Sequence, residues 1–266
     1  MSTKSKRKVY QVTSVHTSGR YDRSLKSLLE GIRGIVARRK VTTISGTEAK
    51  GRPTGFMDKV KSGEWDWAHG TATARDAEDD TPFGTKECWL MWRTDTWGRV
   101  GKVRSVVMNQ RQYRTSSGNL MPKARAHKVM LMHIPSGVVF IWYIVHMPLD
   151  NTELRASIWF ECCEALAADV AETRLTQPNA HIVIQGDINK NYRQDLERAL
   201  METHIARPTK TKQAWKHNVP KTGGTHGPLG LIDGTFTDTD VDDCALLPDD
   251  PSSDHRPYRV RLSFTR

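Results

Sequence analysis

Short apolar runs alternate with amphipathic stretches from residue 9 onwards. Val9–Val15 and Val41–Ser45 are rich in β-branched residues, and we predict a buried strand at each. Between them, leucine, isoleucine and valine recur at helical spacing from Leu25 to Val36, which predicts an amphipathic helix. This strand–helix–strand order predicts a mixed sheet with helices on its faces.

The middle of the chain is dominated by strand-like runs. Five of them occur, at residues 65–69, 87–92, 102–108, 128–134 and 138–146. Pro135, Ser136 and Gly137 separate the last two runs and have the turn chemistry of a hairpin. Part of the sheet structure is therefore expected to be antiparallel.

Helices and strands continue to alternate after residue 150. A long amphipathic helix should begin at Asp150 or Asn151, because both are good N-caps and apolar residues follow at helical spacing. A strand over His181–Asn189 ends in polar residues, and a short helix is predicted over 194–201.

The last sixty residues contain one basic segment and one acidic segment. Residues 207–221 hold five Lys or Arg and no acidic residue, so we predict an exposed loop there. Two strands, at 230–236 and 257–264, bracket a predicted acidic turn. No repeat or composition break divides the chain, so we predict a single domain over 9–266 after a flexible basic arm at 1–8.

The charge of the whole chain points to a polyanionic partner. Forty Lys and Arg against thirty Asp and Glu leave a formal net charge of +10 and a pI near 9.5. Nucleic acid is the first partner to expect, and a solvated basic surface without a partner is the alternative. No protein partner can be inferred from the sequence.

Compartment is predicted from what the sequence lacks. No apolar run approaches the roughly 18 to 20 residues that span a bilayer, and no apolar segment follows the basic start. Four irregularly spaced cysteines form neither a disulfide framework nor a zinc pattern. We therefore expect no membrane association and a reducing, cytoplasmic location.

Polar side chains with catalytic or metal-binding potential recur near the ends of predicted strands. They are Glu48, His146, Asp187, Asn189, Asp233, Asp254 and His255. Each alone is typical of a turn or a helix cap, but strands of one sheet can bring such ends to one edge. Carboxylates that converge there repel one another, and a divalent cation relieves the repulsion. Hard oxygen ligands favour Mg²⁺ or Mn²⁺ over zinc.

Five short motifs occur in an order that resembles a known superfamily. They are TEA (47–49), VHMP (145–148), GDIN (186–189), LID (231–233) and SDHRP (253–257). Together they resemble the endonuclease/exonuclease/phosphatase superfamily, which includes deoxyribonuclease I and exonuclease III. The resemblance implies an α/β fold, a four-layer α/β sandwich with two central mixed β-sheets flanked by helices. It also implies hydrolysis of phosphate esters with a divalent metal, Mg²⁺ or Mn²⁺.

The resemblance also implies roles for the acidic and amide residues. Glu48 matches the metal-binding glutamate, and Asp254 matches a second acidic residue near the metal. Asp187 and Asn189 resemble the pair that orients the attacking water and the phosphate. Asp233 matches the aspartate that orients the catalytic histidine.

The implied roles of the basic residues complete this expected site. His255 resembles the catalytic histidine. His146 resembles a histidine that hydrogen-bonds the scissile phosphate or protonates the leaving oxygen. Arg125 is a looser match to a phosphate-binding arginine.

Two positions depart from the family pattern. His16 stands where the family usually has asparagine, and Gly234 stands where a bulkier residue is common. Three interpretations of His16 remain open: it orients the phosphate, it shifts the metal preference toward Mn²⁺, or it is a tolerated substitution. We expect the first, because imidazole can donate to phosphate.

Two basic stretches are candidates for substrate contact. One is residues 50–61, and the other provides Lys210, Lys212, Trp215 and Lys216 to track a phosphate backbone and stack on a base. We predict a DNA endonuclease of deoxyribonuclease I type, with RNA as the next substrate. The alternatives are a phosphatase or phosphodiesterase of the same fold acting on lipid or small phosphate esters, and an inactive nucleic-acid-binding module.

Overall fold

The computed structural model describes most of the predicted strands and most residues of the expected site. The described residues are 8–18, 33–35, 37, 40–47, 64–69, 88–111, 125–149, 152–221, 223–226, 230–248, 253 and 255–266. Residues 1–7 of the arm predicted at 1–8, the basic stretch at 50–61, Glu48 and Asp254 lie outside them. Most of the helix predicted over Leu25–Val36 does too, although residues 33–35 are helical and Ile35 is buried.

The first sheet has six strands in the described part of the chain. They are β1 (Val9–Ser18), β2 (Thr43–Thr47), β3 (Trp65–His69), β4 (Trp89–Arg93), β12 (Asp240–Leu246) and β13 (Tyr258–Thr265), in the spatial order β12-β13-β1-β2-β4-β3. β1 pairs with β2 in parallel and with β13 antiparallel, so the sheet is mixed.

The second sheet has seven described strands. They are β5 (Trp97–Arg99), β6 (Arg104–Val107), β7 (Arg125–His133), β8 (Val138–His146), β9 (His181–Asp187), β10 (Lys212–Gln213) and β11 (Asp233–Thr237). The order is β10-β11-β9-β8-β7-β5, with β6 also paired to β7. β8 and β9 are parallel, whereas β7 and β11 run antiparallel to their neighbours, and the predicted hairpin joins β7 to β8.

Helices and an apolar cluster cover the outer faces of the two sheets. Helix α1 (Glu153–Thr176) begins at Thr152, whose hydroxyl accepts a hydrogen bond from the Arg155 N–H. Asp169 on α1 accepts from Lys128 and Tyr143, which ties the helix to β7 and β8. On the first sheet, a separate cluster includes Val15, Ile35, Val41, Ile44, Trp65, Trp89, Met91 and Leu247. The predicted four-layer α/β sandwich is confirmed.

The predicted acidic turn is wrong, because this segment forms strand β12. Val241 and Cys244 point inward, while the aspartates lie on the more exposed face. There Asp242 accepts from Gln11 at 2.7 Å, and Asp243 pairs with Arg259. Pairing with β13 offsets the low strand propensity of aspartate.

The basic stretch is not the exposed loop that its charge predicts. Helix α2 (Asp195–Met201) continues through a π-helical turn (Glu202–Ala206) and one α-helical turn (Arg207–Thr209). β10 and a 3₁₀ turn (Ala214–His217) follow. The lysines of this stretch are exposed, but Ala214 and Trp215 are completely buried.

The cysteines and helices bear on two further predictions. All four cysteines are buried and none is in a disulfide, and Cys162 and Cys163 line the inner face of α1, as expected for core thiols. Among the described residues, no helix combines the length and the apolarity needed to cross a membrane.

Candidate active site

Strand register brings the predicted catalytic residues to one edge of the sandwich. On the second sheet, His146 is opposite Asp187, and Asp187 is opposite Asp233. On the first sheet, His16 is opposite Ser45 and Tyr258. Because neighbouring strands lie about 4.8 Å apart, side chains at these positions are within reach of one another.

The centre of the site is a buried pair formed by His255 and Asp233. His255 Nδ1 lies 2.7 Å from Asp233 Oδ2, and both side chains are at least nine-tenths buried. Burial would raise the pKa of Asp233, but the charge of His255 and hydrogen bonds from His16 and His255 hold that pKa well below its ordinary value. Asp233 is therefore an anion that holds the His255 ring through Nδ1 and stabilises a positive charge formed on that ring.

Asp187 faces this pair from the neighbouring strand. Its Oδ2 lies 3.6 Å from His146 Nε2 and 4.0 Å from His255 Nε2, and its Oδ1 accepts from the Asn189 backbone N–H at 2.9 Å. Burial and the negative charge of Asp233 raise the pKa of Asp187 to about 7. The two aspartates thus have opposite pKa shifts, a pattern typical of functional sites.

The GDIN motif forms a tight turn that positions Asp187 and Asn189. Asn189 has a left-handed backbone, with φ of 56°, and its side-chain amide donates to the Met147 carbonyl at 2.7 Å. A Cβ at Gly186 would lie 1.9 Å from the Val145 carbonyl oxygen, so only glycine fits there. Trp159 on α1 donates to the Ile188 carbonyl at 2.9 Å and supports the turn from below.

His16 lies inside the site rather than on its surface. The residue is 1% exposed, its Nδ1 is 2.8 Å from Ser45 Oγ, and its Nε2 is 3.4 Å from Asp233 Oδ1. Burial lowers the pKa of His16. Both ring nitrogens face protein atoms, so the expected contact with phosphate is not what this geometry favours. His16 is a neighbour of Asp233 instead.

Below the site, a layer of polar side chains joins the two sheets. Ser14 Oγ and Ser45 Oγ lie 2.8 Å and 2.9 Å from Gln185 Oε1. Gln185 Nε2 is 3.0 Å from Thr235 Oγ1, which in turn is 2.9 Å from the Tyr258 hydroxyl. Ser14, Gln185 and Thr235 each lie two positions from a site residue on their strands, so they face the same way. No pattern in the sequence predicted this polar layer.

A divalent cation fits the donor set at this edge. Asp187, Asp233 and His255 each offer a ligand atom within 4.8 Å of the others, and all three are buried. His255 already engages Asp233 Oδ2, which leaves Asp187 as the described carboxylate best placed for an ion. Burial and the negative charge of Asp233 disfavour the ionised form of Asp187, a cost that a bound cation would offset. The predicted metal ligands Glu48 and Asp254 lie outside the described residues.

The residues predicted to contact the substrate lie in different environments in the structure. Trp215 is fully buried and donates its indole N–H to the Asp233 carbonyl at 2.9 Å, so the prediction that it stacks on a base is wrong. Lys212 pairs with Thr237, four residues along β11 from Asp233. Lys216 is paired with Glu202 at 2.6 Å, and Lys210 is exposed. Arg125 begins β7, and its side chain is outside the description.

Two further residues lie beside the catalytic pair and were not predicted from the sequence. The ring of His226 meets that of His255 edge-on, with centroids 4.7 Å apart. Thr225 Oγ1 accepts from the backbone N–H groups of Ile232 and Asp233 at 3.0 Å each and fixes the start of β11. The glycine-rich run around them was the available signal.

Comparison with known proteins supports the fold through structure rather than sequence. No protein-family model matches the chain, and no curated protein matches it either. An endonuclease/exonuclease/phosphatase family protein from Bacteroides thetaiotaomicron matches with a TM-score of 0.71 and 13% identity, over 97% of both chains. A mannosyl-6-phosphatase from the same organism matches with a TM-score of 0.70 and 14% identity, over 95% of this chain and 100% of that one.

A third similar structure contains nucleic acid. D. rerio TDP2, complexed with a single-strand DNA product, matches with a TM-score of 0.65 and 12% identity, over 96% of this chain and 99% of that one. The fold of this protein is therefore that of the endonuclease/exonuclease/phosphatase proteins, as the resemblance of its motifs implies.

Proposed function

We propose that this protein hydrolyses phosphodiester bonds in nucleic acid with the help of Mg²⁺ or Mn²⁺, and that DNA, cut internally, is its first substrate. The observation that carries the proposal is the buried His255–Asp233 pair directed at the buried Asp187. The net charge of +10 and the likeness to a TDP2 bound to a DNA product favour nucleic acid as the substrate. RNA is the next candidate.

The pair supplies a base for the attacking water. His255 directs Nδ1 at Asp233, so Nε2 is the nitrogen that exchanges a proton on the side of Asp187. As the water oxygen bonds to phosphorus, its proton passes to Nε2, and the Asp233 anion stabilises the imidazolium that forms. Asp187 and the backbone of Asn189 orient the reactants on the neighbouring strand.

The departing oxygen needs a proton when its bond to phosphorus breaks. His146 lies across from Asp187, with its Nε2 3.6 Å from Oδ2, and its side chain is 20% exposed. This partial exposure leaves it accessible to a bound substrate, to which it can donate that proton. The site holds its acid and its base on opposite sides of Asp187.

A cation is expected beside Asp187. Glu48 follows β2 directly in the sequence and Asp254 precedes His255, so both are proposed to complete the ligand set with Asp187. When bound, a divalent ion would neutralise the nonbridging oxygens of the phosphate and so favour attack by water. Carboxylate ligands suit Mg²⁺ and Mn²⁺.

A second candidate function is hydrolysis of small phosphate monoesters. The likeness to a mannosyl-6-phosphatase favours it, because that protein has the same fold over its whole length. The same base, carboxylate and cation would act on a monoester, and only the groups around the site would differ.

The test is a panel of substrates with one purified preparation. Supercoiled plasmid, a labelled RNA, a sugar phosphate and a phosphorylated lipid would each be incubated with Mg²⁺, with Mn²⁺ and with EDTA. Plasmid nicking that needs the metal supports the proposal, and metal-dependent release of phosphate from the sugar phosphate alone supports the second candidate. Binding of DNA without cleavage of any substrate would refute both and favour an inactive binding module.

A further inference from the structure

Asp233 has an imidazole beside each of its two carboxylate oxygens. His255 engages Oδ2 at 2.7 Å, and His16 Nε2 lies 3.4 Å from Oδ1. His16 is 1% exposed and Asp233 is 2% exposed. The resemblance places asparagine at position 16, so the second imidazole is a feature of this chain.

A proton is needed between His16 and Asp233. Within the described residues, neither His16 Nε2 nor Asp233 Oδ1 has a hydrogen-bond partner elsewhere, and both atoms are buried. A buried polar atom without a partner is costly, because it has lost its hydrogen bonds to water. A proton on Nε2 satisfies both atoms at once, because it is donated to Oδ1.

That proton fixes the tautomer of His16. Burial lowers the pKa of His16, so its ring is neutral and has a single N–H. With the N–H at Nε2, Nδ1 must accept a hydrogen bond. The Ser45 hydroxyl, 2.8 Å away, is then the donor.

The orientation of Gln185 follows from the same count of protons. The Ser45 hydroxyl has one proton, so if it donates to His16 it must accept from the Gln185 amide, 2.9 Å away. The two ends of a glutamine amide have the same shape, and exchanging them leaves every distance unchanged. The amide NH₂ then donates to Ser14 and Ser45, and its carbonyl accepts from the Thr235 hydroxyl.

We infer that His16 is a positioning residue, which donates its Nε2–H to Asp233 and thereby fixes the carboxylate that orients His255. A carboxylate anchored through one oxygen can rotate, whereas one anchored through both keeps its plane. Ser45 and Gln185 extend the anchor into the layer between the sheets. The inference rests on the proposed function for its catalytic consequence, but its hydrogen-bond pattern is independent of any activity.

The tautomer of His16 is the direct test. Protein with ¹⁵N-labelled histidine would be examined by long-range ¹H–¹⁵N NMR, with His16→Gln used to assign the ring signals. The inference predicts a neutral ring protonated at Nε2, and Ser45→Ala should weaken that preference. A ring protonated at Nδ1 would overturn it, whether or not the protein has any hydrolytic activity.

Kinetics with two matched variants test the catalytic consequence. The amide nitrogen of His16→Gln reaches the place of Nε2, whereas that of His16→Asn reaches only the place of Nδ1. We expect His16→Asn to lower kcat about 10- to 100-fold with KM unchanged, the usual effect of removing such an orienting partner, and His16→Gln to keep most of the activity. Asparagine as fast as histidine would overturn the inference.

A double mutant separates a role through Asp233 from a general structural one. In an Asp233→Asn background, His16→Asn should cause no further loss of kcat, because the group it orients has already changed. Two losses that multiply would contradict the inference. If the wild-type protein cleaves none of the substrates, the proposed function fails while the NMR result still decides the role of His16.

Discussion

Replacing Asp187 by asparagine should stabilise the protein at neutral pH while it removes activity. Asp187 is 2% exposed, and burial with the charge of Asp233 raises its pKa to about 7 from an ordinary 3.8. Each pKa unit corresponds to about 1.4 kcal/mol, so the folded state forfeits on the order of 4 kcal/mol at pH 7 because it disfavours this ionised carboxylate. Asparagine keeps the oxygen that accepts from the Asn189 N–H.

The stability gained by Asp187→Asn should be smaller than the full cost of this ionised carboxylate. Asparagine gives up the attraction of Asp187 for His146 and His255, which offsets part of the relief. We expect Asp187→Asn to gain about 2 kcal/mol, which raises Tm by about 4 to 8 °C in a chain of this size. Enzymes often retain such a destabilising group because function requires it.

The pH dependence of the free energy of unfolding tests whether the titration of Asp187 causes this difference in stability. Between about pH 4 and pH 7 the folded wild type holds a proton that the unfolded chain releases, so its stability falls as pH rises through this range. Asp187→Asn lacks this titrating carboxyl group, and its advantage in stability should therefore grow from near zero at pH 4 to its full size at pH 7. Urea unfolding followed by circular dichroism in EDTA would measure it.

Two results would contradict the expected effect of Asp187→Asn. One is an Asp187→Asn protein less stable than the wild type at pH 7, and the other is a difference that does not change with pH. Added Mg²⁺ gives a further check, because a cation that binds the free carboxylate should stabilise the wild type more than the variant.

Three further predictions address the supports of the site and its surroundings. Trp215→Phe should lower stability by about 1 kcal/mol and reduce cleavage, because the indole N–H to the Asp233 carbonyl is lost; unchanged urea unfolding would contradict this. Gly186→Ala should cost more than about 3 kcal/mol or prevent folding, since its Cβ would meet the Val145 carbonyl, whereas Gly98→Ala, with 4.0 Å of room, should be nearly neutral in the same unfolding assay. Glutamine at three exposed lysines should weaken nucleic-acid binding and flatten its salt dependence, and an unchanged slope in a titration at several salt concentrations would remove this face from the binding surface. These lysines are Lys210, Lys212 and Lys216.

The sequence was most informative where a motif spans a strand end. GDIN and SDHRP each contain the turn and the side chain that the turn positions, so the places of Asp187, Asn189 and His255 could be predicted locally. The contact between His255 and Asp233 joins residues 22 apart, and it was predicted only through the resemblance.

Contacts between side chains on different strands and sheets could not be predicted from the sequence. His16 meets Asp233 because β1 and β11 belong to facing sheets, and no periodicity in either strand indicates that pairing. Trp215 is surrounded by lysines in sequence, so charge suggested a surface, but the 3₁₀ turn directs its ring into the core. Long-range packing decided both positions.

The most direct test of the proposed function compares two histidine variants on the substrate that the wild type cleaves. His255→Ala removes the base of the site, while His181→Ala removes a matched histidine that pairs with Asp238 at 3.1 Å at the opposite end of β9. With both variants shown to be folded, His255→Ala should lose metal-dependent cleavage of supercoiled plasmid by at least about 10³-fold. His181→Ala should cut at the wild-type rate, and a His255→Ala protein that did the same would contradict the assignment of the site.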